Sequence, residues 1–273
     1  MRTATKYLLV LIALAALAAG VWRWVQTESP ALAEFVDQAP ARVRKAIEAM
    51  PPFEPTPSRE QAEAPPAIEH PVEADPYSTL PQLDASDEEL VGALATIVGE
   101  TSLARHVETK GLIRRLVVAI DNLPGGRLTM KQRPLKAVAG APIVSDDGAT
   151  VVLGDGNYAR YLPLVELAER IDPAALVTLY RRYYPLFQQA YQDLGFLDGY
   201  FNDRLIAVID HLLAAQPVTD PIRLVQPNVL YQYADPALEA RSPGHKILLR
   251  IGPDNMARVQ TVLRRWREVL LAP

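Results

Sequence analysis

Four ionisable side chains, Asp203, Arg204, Asp210 and His211, fall within the short segment Phe201–Leu213. At about 100° per residue they collect on one stripe of a helix, opposite an apolar face of Phe201, Leu205, Val208, Ile209, Leu212 and Leu213. Asp203 and Asp210 stand two helical turns apart on that stripe. Two carboxylates so placed can serve as acid and base in hydrolysis of a glycan or peptide, with the carboxyl groups about 5 to 10 Å apart, or can receive a basic partner. The same pattern also describes a solvated helix face, or an ion-pair network with arginines of a neighbouring helix, which is the commoner situation.

A second cluster lies just upstream. Arg160, Arg181 and Arg182 are interleaved with Tyr158, Tyr161, Tyr180, Tyr183, Tyr184, Tyr191 and Tyr200, so that seven of the eleven tyrosines fall in one region. Tyr and Arg are enriched at protein interfaces because they combine contact area with hydrogen bonding. They also suit helix packing with satisfied hydroxyls. We take Arg160, Arg181, Arg182, Asp203, Arg204, Asp210 and His211 as candidate binding residues, and name no catalytic residue and no cofactor.

Other chemistry finds little support. Gly154-Asp155-Gly156-Asn157-Tyr158-Ala159 matches the dinucleotide pattern G-x-G-x-x-A, with Asp172 downstream, but Asp172-Pro173 leads into another helix rather than a second parallel strand. Here the glycines are expected to make a tight helix entry, with Asp155 or Asn157 as its cap. His70, His106, His211 and His245 are too dispersed for a dedicated metal site. There is no G-x-S-x-G elbow and no cysteine.

These residues are positioned by a mostly helical domain from residue 81 to 273. Ser86 with Glu89 predicts a capping box, followed by an apolar stripe ending at Gly99. Further helices are expected at about 102–121, 157–171, 173–194, 200–214, 243–251 and 254–271, with Gly195 and Gly252 as terminators and a kink at Pro185. Ile143–Ser145 and Thr150–Leu153, joined through Asp146-Asp147-Gly148, read as a β-hairpin. Residues 222–233, interrupted by Pro227, are expected to be at most an edge strand or a packed loop. The expected fold is thus mainly α, a compact bundle of about six to seven helices with a small β-hairpin insertion, following a transmembrane helix and a disordered linker.

The N-terminal third differs in kind. Tyr7–Trp22 is an uncharged run of 16 residues preceded by Arg2 and Lys6, and Trp24 and Val25 extend it beyond Arg23. At a rise of about 1.5 Å per residue this nearly spans a hydrocarbon layer of about 30 Å. The placement of the bases leaves residues 1–6 in the cytoplasm, 7–25 as a single-pass anchor and everything beyond outside, which in a bacterium is the periplasm. Ala31-Leu32-Ala33 has the form of a cleavage site, but lies far from the apolar run. Residues 26–80 read as a Pro-rich disordered tether: 28–81 hold 11 prolines, 10 acids and 4 bases. From Gln82 onward 22 acids face 21 bases, a balance that gives no reason to expect nucleic acid as a partner.

Several blocks together carry a family resemblance. They are Asn157–Tyr161, Tyr184–Tyr191, Phe201–Leu205 with Ile209–Leu213, Leu224–Pro227, Ala234-Asp235-Pro236 with Leu238-Glu239, and Lys246–Gly252. The chain resembles the proteobacterial membrane-anchored family known as domain-of-unknown-function family 3014, over most of residues 80 to 270. It departs from that pattern at Arg241–His245, where a glutamine near His245 is expected. The resemblance implies a membrane segment, a Pro-rich spacer and one envelope domain, and implies no activity. The expectation is a non-enzymatic binding or scaffolding module held in the inner membrane, with an envelope protein or a cell-wall component as partner. The alternatives are a periplasmic hydrolase using Asp203 and Asp210, and a small-molecule sensor with an apolar pocket.

Overall fold

The computed structural model describes residues 67–73, 79–125, 130–219, 221–228 and 230–272. The expected cytoplasmic segment, the anchor and residues 26–66 of the tether lie outside the described residues. Among the described residues no helix is long and apolar enough to cross a membrane.

A 3-10 turn at Leu83–Ala85 leads into α1 (Asp87–Val98), α2 (Glu100–His106) and α3 (Leu112–Asn122). Strands β1 (Val144–Asp146) and β2 (Val151–Leu153) follow, then α4 (Asp155–Ala159), α5 (Leu162–Arg170), the long α6 (Pro173–Gln192) and α7 (Phe201–Leu213). The chain closes with β3 (Arg223–Val225), β4 (Gln232–Tyr233), α8 (Pro236–Glu239), α9 (Pro243–Ile251) and α10 (Pro253–Leu271). Helices α3, α6, α7 and α10 pack on one another around the core. Phe187 and Phe201 stack there with ring centroids 5.6 Å apart, and Tyr180 meets Phe187 at 5.5 Å. Trp266 of α10 is also fully buried. Burial of this apolar surface is the main force holding the bundle together.

Several boundaries differ from the expected ones, each for a local reason. The expected capping box does not form. The 3-10 turn leaves Ser86 in αR geometry, so its hydroxyl turns back to the Leu83 carbonyl, while Glu89 reaches Arg182. The expected helix 102–121 is broken between α2 and α3. Val107 is extended and bridges Leu135, Gly111 takes φ 63°, and the Asp87 carboxylate accepts from the N–H groups of Gly111 and Leu112 at 2.6 and 3.0 Å. That carboxylate supplies the N-terminal cap of α3 from another helix. The expected helix 157–171 is likewise split into α4 and α5. No side chain caps α4. Asn157 is instead buried, accepting from the Ile143 N–H and donating to the Arg250 carbonyl, which ties the residue before β1 to α9. Helix α6 runs unbroken through Pro185.

The hairpin is correct but incomplete. β1 and β2 belong to a four-stranded antiparallel sheet of order β1-β2-β3-β4, with Val151 opposite Leu224 and Leu224 opposite Tyr233. β3 is therefore an inner strand, not an edge strand or a loop. Pro227 falls after β3 ends, so it removes no ladder hydrogen bond. Leu153, Leu224 and Tyr233 bury one face of the sheet against the helices.

Candidate functional site

The polar stripe of α7 divides into two unlike halves. In its C-terminal half every group has a fixed structural partner. Asp210 forms a two-pronged ion pair with Arg267 of α10, at 2.5 and 2.9 Å. The His211 ring meets the Ser242 hydroxyl at 2.7 Å and stacks on the His245 ring, with centroids 4.2 Å apart. His245 completes the link by contacting the His211 carbonyl. Burial, then His245 and Arg204, hold the His211 ring below the ordinary histidine range. One turn into the helix, Arg204 grips Asp121 of α3 through both its carboxylate and its carbonyl, at 2.8 and 2.7 Å.

The N-terminal end is built differently, because the chain approaches it through an exposed apolar loop. Residues 193–200 join α6 to α7. Gly195 takes φ 105° and Gly199 passes so close to Tyr191 that a Cβ there would lie 3.0 Å from the ring. Gln188 holds the loop shut, donating to the Gly199 carbonyl at 2.7 Å and accepting from the Phe201 N–H at 2.8 Å. At the tip Phe196 stacks on Tyr191 at 4.6 Å, and Leu194, Phe196 and Leu197 are 43%, 41% and 73% exposed. Three large apolar side chains in one exposed loop form an apolar tip of the kind that anchors protein contacts.

Beside this loop α7 receives a strap made of residues 67–73. The Asp203 carboxylate accepts from two consecutive backbone N–H groups, Glu69 at 3.1 Å and His70 at 2.7 Å. Asn202, only 1% exposed, donates to the His70 carbonyl at 2.8 Å. Its orientation is set from below. The Tyr180 hydroxyl, driven far above its ordinary range by burial, stays protonated and donates to the Asn202 carbonyl oxygen at 3.0 Å. The amide nitrogen is thereby turned toward the strap. Part of the expected tether is thus docked on the domain, and Val72 and Leu80 pack against its core.

The remaining candidates are dispersed. Arg160 braces the loop before the sheet, bonding Asn157 and the carbonyls of Ala139 and Gly140. Arg181 reaches the Ala272 carbonyl and Arg182 pairs with Glu89. Of the surrounding tyrosines, Tyr161, Tyr180, Tyr183 and Tyr191 are core residues. Among the predicted residues Asp203 is the one that meets the strap. Asp203 and Asp210 are taken up by different partners, backbone N–H groups and Arg267. Elsewhere an open polar groove of about 550 Å³ lies on the outer face of the sheet, between Ser145, Thr150, Val152 and Arg223. Among the described residues no group of three or more His, Asp or Glu side chains is placed to hold a metal.

The strap and the apolar tip were missed by the sequence reading. A signal for the tip exists, since Gly195 and Gly199 bracket Phe196-Leu197 between two loop acids, Asp193 and Asp198. The strap has none, because its recognition runs through the backbone.

The chain belongs to the family described as "protein of unknown function (DUF3014)", whose model matches residues 112–267. That span runs from the start of α3 to Arg267 and contains α7 and the α6–α7 loop, whereas the strap, α1 and α2 precede it. No curated protein and no solved structure matches the chain.

Proposed function

We propose that the protein is a non-enzymatic binding module of the bacterial cell envelope, held in the inner membrane by residues 7–25 and engaging a partner protein through the α6–α7 corner. The observation that carries the binding reading is the exposed trio Leu194, Phe196 and Leu197, locked in place by Gln188 beside the polar end of α7. The membrane location is supported by the uncharged 16-residue run after Arg2 and Lys6. A tether raises the effective concentration of such a module near membrane-bound partners. The hydrolase alternative has no observation in its favour: Asp203 accepts from the N–H groups of Glu69 and His70, and Asp210 pairs with Arg267.

Two arms test this reading. The chain has no cysteine, so Leu197→Cys is a unique thiol. In full-length protein it is expected to react with a membrane-impermeant maleimide once the outer membrane is opened, and the protein to fractionate with the inner membrane. Crosslinking in intact cells is expected to capture one defined envelope protein with the unchanged chain. The Leu194→Ser/Phe196→Ser/Leu197→Ser chain should lose it. A thiol protected until the cells are lysed would overturn the location, and equal capture by both chains would overturn the surface.

A further inference from the structure

The open groove on the outer face of the sheet is polar and is built from neighbouring strands. Ser145 of β1, Val152 of β2 and Arg223 of β3 stand side by side in the strand register, on the face turned away from the buried Leu153 and Leu224. Asp147 and Thr150 from the β1–β2 turn, with Pro221 before β3, complete the lining of its roughly 550 Å³. That volume suits a small-molecule ligand. The polar groups here are available to one. Arg182, Arg204, Arg258 and Arg267 each pair with a carboxylate, whereas among the described residues the exposed Arg223 side chain has no ion pair or hydrogen bond. The same holds for the Ser145 and Thr150 hydroxyls. Asp147 is held in place by one oxygen only: its Oδ1 accepts from the Thr150 and Ala149 N–H groups at 2.7 and 3.0 Å, which keep the carboxyl below its usual range and ionised. Among the described residues its Oδ2 accepts no hydrogen bond.

These groups select a class of ligand. The planar guanidinium of Arg223 matches a carboxylate, to which it can make two parallel hydrogen bonds. A phosphate group would bring up to about twice the charge against the same ionised Asp147 and gain only one arginine. Asp147 Oδ2 is an acceptor for a ligand O–H, and the Ser145 and Thr150 hydroxyls can both donate and accept, as an array of sugar hydroxyls requires. Val152 and Pro221 supply apolar surface for the C–H face of a sugar ring. We propose that this groove binds an acidic sugar, with its carboxylate on Arg223 and its hydroxyl groups on Asp147, Ser145 and Thr150. The groove shares no residue with the α6–α7 corner, so it stands or falls separately from the protein partner proposed there.

The probe is sodium D-glucuronate, titrated into purified full-length protein in a detergent without sugar headgroups and followed by saturation-transfer NMR. Saturable binding is expected, with Kd on the order of 1 mM. D-glucose, which lacks the carboxylate, should bind the unchanged chain at least about tenfold more weakly, and Arg223→Gln should weaken glucuronate binding by about the same factor. The glucose comparison uses the unchanged chain and so does not depend on how a variant folds. Asp147→Asn removes the charge that opposes phosphate, and is expected to lower the concentration of inorganic phosphate that displaces glucuronate. No saturable glucuronate binding, equal binding of glucose, or indifference to Arg223→Gln would each overturn the proposal. Phosphate binding more tightly than glucuronate to the unchanged chain, or phosphate competition unaltered by Asp147→Asn, would overturn it as well.

Discussion

The two ends of α7 carry the same kinds of side chain and use them in opposite ways. At the C-terminal end Asp210 and His211 face α10 and α9, and each meets a side chain fixed by its own helix, Arg267 in one case and Ser242 and His245 in the other. At the N-terminal end Asn202 and Asp203 face a strap that offers only its backbone. A side-chain partner is announced by its residue type, whereas a backbone partner leaves no mark on residue type. Ionisable residues spaced along one helix face therefore need not constitute one site. What surrounds each end decides its role.

The comparison can be broken or sharpened by substitution, beginning with the core that both ends share. Phe201 is fully buried against Phe187, Tyr180 and Tyr191, so Phe201→Ala should cost about 3–5 kcal/mol in urea unfolding and disable both ends together. Gly252→Ala is the next largest. Its backbone sits at φ 91° and an added Cβ would lie 2.5 Å from the Tyr158 ring, so a loss of about 1–3 kcal/mol is expected, with no change in hydrogen exchange at the Glu69 and His70 amides.

Acidification should weaken the C-terminal end of α7. The folded pKa of His211 is lowered, so the unfolded chain binds the proton more readily than the folded one. The stability this histidine contributes is complete above its unfolded value of about 6.5 and declines as pH falls below it. His106, also lowered by burial, acts in the same direction. The His211→Gln chain should thus show a shallower fall in melting temperature between pH 7.5 and pH 5, with the His106 part remaining. An unchanged slope would mean that the His211, His245 and Ser242 contact is not what acid disturbs.

The smallest expected effects separate the two ends most clearly. The Asp210–Arg267 pair is 47% and 36% exposed, so Asp210→Asn should change stability by less than about 1 kcal/mol. Asp203→Asn should leave global stability within about 0.5 kcal/mol of the unchanged chain, yet speed hydrogen exchange at the Glu69 and His70 amides about tenfold or more. Equal exchange in both chains would show that Asp203 does not hold the strap.

Much of the fold was legible because it depends on periodic burial. The apolar faces of α6, α7, α9 and α10 and the turn at Gly252 follow from residue spacing alone. The failures share a cause: a tertiary partner overrode a local rule. Asp87 caps α3 from a distance and breaks the expected helix, Asn157 ties the residue before β1 to α9 instead of capping α4, and β3 lies inside the sheet because β4 pairs with it from beyond Pro227. For the site, Asp203 was readable as an ionisable group on a helix face. That it binds backbone was not, since no residue type in the strap signals a contact made by its amides. The interface-like composition of the Tyr-rich region likewise served the core, where Tyr180 and Tyr183 are buried.

The central claim is that the N-terminal end of α7, with its loop, meets partners while the C-terminal end is structural. Its most direct test places a photo-crosslinking amino acid at Leu197, and separately at Asp210, in the full chain expressed in cells. A defined protein adduct from position 197 and none from position 210 is the result expected. An adduct from position 210, with none from position 197, would contradict it.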